Sequence, residues 1–253
     1  MQTLDVLYED NHLLVINKPV GIATMGAESG PTIHSLAVDY IRKKYGKPGK
    51  VFLGVVHRLD AMTTGVLVLA RTSKSASRLS AQFAAKQSKG GPRKIYLAGV
   101  EGALDQSEGE WVDHIRKDDA AMRMRVVDDA ASGAQEASLR FKTLSSQADA
   151  SVVAIQLLTG RKHQIRVQFA EHGYKLIGDR KYGSTRKFGS QPQSIGIALH
   201  AWRLQVVHPT KKENMWFEAP FPASWKTLAK TLPSSERIRA TINRSFELDD
   251  DSD

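Results

Sequence analysis

The sequence predicts an α+β fold with a mixed, largely antiparallel central sheet and flanking helices. Two observations point there. Strand-like apolar patterns outnumber helical ones, and they come in runs instead of alternating one-for-one with helices. The chain has 253 residues and no cysteine, and at that length a hydrophobic core forms without disulfide staples.

The elements follow in chain order. Leu4, Val6 and Tyr8 alternate with polar neighbours, and Leu13-Leu14-Val15-Ile16 follows the turn Glu9-Asp10-Asn11. This reads as two strands, ended by Asn17-Lys18-Pro19. Over residues 32–45, Ile33, Leu36, Ala37, Tyr40 and Ile41 fall on one helical face, and Gly46 suits the stop. Val51–Val56 and Gly65–Ala70 read as buried strands. A second helix is expected from about Ser73 to Gln87, with Ala76, Leu79, Phe83 and Ala84 inward.

The middle of the chain is strand-rich: Lys94–Val100, Glu110–Ile115, Met122–Val127, the alternating Ala137, Leu139 and Phe141, and Val152–Leu158. A helical stretch follows Thr159-Gly160, with Ile165, Phe169 and His172 on one face and Gly173 closing it. Residues 183–193 read as a polar loop, Ile195–Val207 as a strand and Ser224–Thr231 as a short helix. Residues 1–244 are expected to form a single domain, and residues 245–253 an acidic, disordered tail.

Charge narrows the function. The formal net charge is +9, and all 36 Lys and Arg precede residue 245 against 22 of the 27 acids, leaving +14 on residues 1–244. Such a body attracts polyanions, and nucleic acid is the commonest of them. No stretch approaches the roughly 20 apolar residues of a membrane helix, and the first residues lack a secretory pattern. A cytoplasmic protein without a membrane anchor is therefore expected. The eight histidines fall at no metal-ligand spacing, so no metal is expected. Glycine-rich nucleotide-binding motifs and the Gly-x-Ser-x-Gly elbow are also missing.

Three segments could carry chemistry. In His57-Arg58-Leu59-Asp60-Ala61-Met62-Thr63-Thr64-Gly65 a carboxylate sits at a strand end, two residues after an arginine. A nearby cation would hold it ionised, as a nucleophile must be; equally, Arg58 and Asp60 could be a structural pair at the turn. In Thr159-Gly160-Arg161-Lys162-His163-Gln164-Ile165-Arg166 three cations gather at a strand-to-helix turn, suited to an anion; a solvated basic turn is the plain alternative. If helical there, Lys162 and Arg166 would share a face. In Arg93-Lys94-Ile95-Tyr96 the tyrosine could stack a base, or simply fill a hairpin.

Together these segments resemble the RluA-type family of RNA pseudouridine synthases. His57-Arg58-Leu59-Asp60 with Thr63 and Gly65 resembles the family's central motif. Asn17-Lys18-Pro19-Val20-Gly21, Lys94-Ile95-Tyr96, Thr159 to Arg166, Gly178-Asp179-Arg180-Lys181-Tyr182-Gly183 and Leu199-His200-Ala201 continue the likeness in order. Thr64 and Lys162 stand where the family often has Ser and Thr. The first motif begins near residue 4, so the resemblance is to a form without a preceding S4-like domain.

The resemblance implies the pseudouridine synthase fold with a catalytic cleft across the sheet. It also implies isomerisation of uridines in ribosomal or transfer RNA, with no cofactor; a monomer is the default expectation. Asp60 maps onto the family's essential aspartate. Arg58 fits a residue that holds the flipped-out state, and Tyr96 a stacking partner for the uracil. Arg166 fits the ion-pair partner of Asp60, with Arg161 competing for that role, and Lys162 adds positive charge for RNA. Two other readings stand beside this one: a non-catalytic RNA-binding protein that keeps the fold, and a carboxylate-based hydrolase with Asp179 as its second acid.

Overall fold

The computed structural model describes residues 4–27, 30–189, 196–225, 228 and 232–248. It is α+β, as expected, and gathers into two compact units: Met1–Arg93 with Ala201–Phe221, and Lys94–His200 with Pro222–Asp253.

The first unit contains strands β1 (Val6–Glu9), β2 (Leu13–Lys18), β3 (Gly54–Val55) and β4 (Thr64–Ala70), and helices α1 (Ile33–Lys44) and α2 (Ser73–Ala84). A later strand, Leu199–Val207, enters this unit at Ala201 and is followed by Asn214–Glu218; in chain order these two are β10 and β11. β1 pairs with β2, β2 and β3 with β4, and β10 with β11, all antiparallel, and β10 lies beside β4. Leu13, Leu14, Val15 and Ile16 are all fully buried, as are Leu67, Val68, Leu69 and Ala70. A strand covered on both faces reads as an unbroken apolar run. Leu13, Val15, Val66, Val68 and Leu79 pack with Leu204, Val206 and Phe217. Thr32 and Ser35 form a reciprocal capping box at the start of α1, and the Thr72 hydroxyl caps α2.

The second unit contains β5 (Arg93–Glu101), β6 (Glu108–Asp118), β7 (Arg123–Val127), β8 (Gln135–Ser146), β9 (Ala150–Leu157), α3 (Gln164–Glu171) and α4 (Ser235–Phe246). Its strands run in the order β5-β9-β8-β6-β7, with every neighbouring pair antiparallel. Ile115, Met124, Ala137, Val167 and Tyr182 form a core under α3.

Several expectations are corrected. The strand expected over 51–56 is only Gly54–Val55. Helix α2 stops at Ala84 because Ala85 turns extended (ψ 145°). β10 begins at Leu199, not Ile195. The helix expected over 224–231 begins as a 3-10 turn at Ala223–Trp225, and most of its remainder lies outside the described residues, as do residues 190–193 of the expected loop. The acidic tail does not begin at 245: α4 runs to Phe246, and Phe246 and Leu248 are buried. Residues 249–253 lie outside the described residues. Among the described residues no helix is long and apolar enough to cross a membrane.

Candidate active site

Asp60 lies in the first unit, on the turn that leads into β4. Its side chain is half-buried, and Arg58 is exposed. The backbone around it is held from several directions. The Leu59 N–H donates to the Thr24 hydroxyl oxygen (3.1 Å), and that hydroxyl donates to the Leu59 carbonyl (2.9 Å). The Thr63 N–H donates to the Asp60 carbonyl (3.0 Å), and the Gly21 N–H donates to the Ala61 carbonyl (2.8 Å). Further back, the His57 ring stacks on Phe83 at 4.2 Å, and its Nε2 accepts from the Val68 N–H (2.9 Å). That bond leaves the ring proton on Nδ1.

Lys18 completes this group. Its side chain is fully buried, a rare state for lysine. Its Nζ donates to the carbonyls of Pro19 (2.7 Å) and Ala61 (3.0 Å). Burial pushes the ammonium down to about 7, while the negative charge of Asp60 pulls it back up. The motif Asn17-Lys18-Pro19-Val20-Gly21 therefore carries one side of the Asp60 turn. In the sequence this segment ends a strand and marks the resemblance; neither Lys18 nor Thr24 stands out there as a support of the site.

Gly65, at the start of β4, has φ +113°, and a Cβ there would sit 2.1 Å from the Ala201 carbonyl oxygen. Only glycine allows β10 to approach the turn this closely.

The other expected residues lie in the second unit. Tyr96 is half-buried in β5 and alternates with the fully buried Ile95 and Leu97, so it shares a strand face with Lys94. The Lys94 Nζ donates to the Thr159 carbonyl (3.3 Å). Burial, and then the positive charge of Arg161, hold Lys94 down to about 8.

The basic segment is built around Gln164. Its Oε1 accepts from the Thr159 hydroxyl (2.8 Å) and the Arg161 N–H (3.0 Å), and its Nε2 donates to the Ser138 carbonyl (3.0 Å). His163 takes a left-handed conformation (φ +54°) immediately before α3. The helix therefore starts at Gln164, and Lys162 is not on a helical face with Arg166, contrary to the sequence expectation. Arg161 and Lys162 are exposed, and the Arg161 Nε donates to the Glu136 carbonyl (3.0 Å).

Arg166 is buried and grips Asp179 with two bonds, Nε to Oδ2 (2.6 Å) and Nη2 to Oδ1 (2.9 Å). Its guanidinium also lies over the Tyr182 ring at 5.2 Å. The forked, charge-assisted geometry fixes the orientation of Arg166. Asp179 is 1% exposed with both oxygens engaged, which removes it as the second acid of a hydrolase. Among the described residues no group of three His, Asp or Glu could hold a metal ion.

Residues 12–171 match the protein family described as RNA pseudouridylate synthase. Over 232 residues the chain is 40% identical to the uncharacterized RNA pseudouridine synthase YhcT of Bacillus subtilis, spanning 90% of this chain and 72% of that protein. Over 241 residues it is 31% identical to the ribosomal large subunit pseudouridine synthase D of Zymomonas mobilis, spanning 92% and 74%. Among solved structures it is similar to human RNA pseudouridylate synthase domain containing 4, with a TM-score of 0.73, 27% identity, and 90% and 92% of the two chains covered.

Proposed function

The chain belongs to the RNA pseudouridylate synthase family, enzymes that isomerise uridine in RNA, and on that premise we propose that Asp60 is its reacting carboxylate. One observation carries this reading. A half-buried carboxylate stands on a turn whose backbone is bonded to Thr24, Gly21 and Lys18, with a buried amine beside it. Such a turn is held in place before substrate arrives, which is what a reacting group needs of its support.

In the reaction the N1–C1′ bond breaks, the uracil turns and C5 bonds to C1′. C5 gives up its proton and N1 takes one, so atoms balance and nothing is oxidised. Asp60 attacks C1′, adds to the uracil ring or removes a sugar proton. Each route needs the carboxylate ionised and in contact with an unstacked nucleotide, so the target base must first flip out.

The remaining roles rest on position. Tyr96, half-buried on the same strand face as Lys94, offers a ring for the uracil to stack on. Arg58, exposed on the Asp60 turn, enters the gap left by the flipped base. Arg166, buried and held in a fork by Asp179, is a fixed positive charge of the second unit. Arg161 and Lys162, both exposed, suit phosphates. The names of the relatives favour large-subunit ribosomal RNA as the substrate class over transfer RNA. Action as a monomer in the cytoplasm completes the reading.

Asp60→Ala is expected to abolish tritium release from RNA carrying 5-tritiated uridine while leaving RNA affinity within about twofold. Appreciable turnover by that variant rejects Asp60. Arg58→Ala is expected to slow turnover more on structured RNA than on a short single strand; equal losses reject a flipping role. Mapping pseudouridines in total RNA with and without the gene identifies the RNA, and changes confined to transfer RNA reject the ribosomal assignment.

A further inference from the structure

Between Asp39 and Asp60 the chain carries no acid but has Arg42, Lys43, Lys44, Lys47, Lys50 and Arg58. The first three occupy the last turn of α1, where cations complement the helix dipole. Arg42 pairs with Asp39, and Lys44 with Glu9. Those contacts account for the helical residues as structural. They do not account for Lys47 and Lys50, which lie beyond the helix and are exposed. Nor do they account for Phe52, which is 51% exposed although Val51 and Leu53 on either side are 8% and 6% exposed.

The residue next to Phe52 is linked to the Asp60 turn by a series of contacts within the first unit. The Leu53 carbonyl bonds His34 Nε2 (3.0 Å), the His34 N–H donates to the Thr24 carbonyl (3.1 Å), and the Thr24 hydroxyl clasps Leu59. Met25, next to Thr24, is also 49% exposed. The 12 residues of α1 span roughly 18 Å. Two exposed apolar side chains, Met25 and Phe52, thus stand next to residues of this bonded path, and the exposed Lys47 and Lys50 lie between the end of α1 and Phe52 in the chain. Exposed apolar faces followed by cations are what a single strand needs: one surface for base stacking and another for phosphates.

From this arrangement, and resting on the RNA-modifying function above, we infer that Phe52, Lys47 and Lys50 bind the single-stranded nucleotides flanking the target uridine. Phe52 stacks a neighbouring base, and the two lysines meet the phosphates beyond it.

The test measures binding of a fluorescein-labelled oligouridylate across a salt series, for the full chain and three variants. Phe52→Ala is expected to weaken binding by about 5- to 100-fold. Lys47→Ala with Lys50→Ala is expected to lower the salt slope by roughly 1 to 2. A control pair, Lys74→Ala with Lys211→Ala, also exposed in the first unit, is expected to change the slope by less than half as much. On an RNA that the wild type modifies, the first two variants raise KM and leave kcat unchanged. Wild-type affinity in the Phe52 and Lys47/Lys50 variants, with melting temperatures unchanged, overturns the inference; so does an equal slope loss in the control pair. If the wild type binds the probe in the expected pattern but releases no tritium from any RNA, the catalytic reading fails and the binding surface stands.

Discussion

The Asp60 turn and the segment from Thr159 to Arg166 carry the candidate chemistry, and they are held by different means. The bonds described at the Asp60 turn engage backbone atoms of Leu59, Asp60 and Ala61, with Thr24, Thr63, Lys18 and Gly21 as partners. The basic segment is held by side chains: Gln164 on Thr159 and Arg161, and Asp179 on Arg166. Backbone anchoring lets a reacting carboxylate change charge or bonding without dismantling its own support. Side-chain anchoring ties the cations to particular partners, so one changed charge there undoes the arrangement.

The largest effect tests the close approach at the turn. Gly65→Ala forces a Cβ against the Ala201 carbonyl at a positive φ and is expected to cost more than about 4 kcal/mol in urea unfolding. A cost under about 1 kcal/mol denies that the close approach frames the turn. Next comes Asp179→Ala. It leaves a buried guanidinium without its forked partner and is expected to cost about 3–5 kcal/mol, by the same measurement. Thr24→Val keeps the shape but loses both bonds to Leu59. It is expected to cost about 1–3 kcal/mol and to lower kcat with little change in KM for RNA. Equal loss in kcat and RNA affinity would show that Thr24 supports more than the turn.

The most specific effect is a pH dependence. Lys18 holds its proton less tightly in the folded chain, at about 7, than the ordinary 10.5 expected when unfolded. Between these values the unfolded chain binds more protons, so this group makes stability rise with pH from about 7 toward 10.5. Below pH 7 both states are protonated and the contribution is flat. Lys18→Met is expected to remove that rise, as measured by unfolding free energy across the range. A rise of the same size in the variant assigns it to another group.

Much of the fold was legible because its periodicities are strong. Leu13 to Ile16 and Gly65 to Ala70 read as buried strands, and the Ile33, Ala37 and Ile41 stripe read as a helix. Helix α4 was missed although Ser234 caps it and Ile238, Ile242 and Phe246 recur every four residues; its many charges hid a narrow apolar stripe. β11 was missed because Asn214 to Glu218 is short and ends on a charge.

At the site, the motif residues were legible as a pattern, but their supports were not. Arg166 and Asp179 stand 13 residues apart, and no local rule links them. Lys18 is a lysine whose full burial runs against the habit of its residue type. The left-handed His163 was invisible too, since a non-glycine residue seldom adopts that conformation.

Gly65 also has a bearing on how the protein is made. The first unit is assembled from two stretches, and the backbone against which Gly65 rests arrives only with Ala201. During synthesis the N-terminal strands and both early helices emerge long before their missing neighbour, β10. The Asp60 turn cannot reach its finished form until β10 has left the ribosome. Such distant pairing slows maturation, and a nascent chain cut short before β10 would carry every motif of the Asp60 segment and yet be inert.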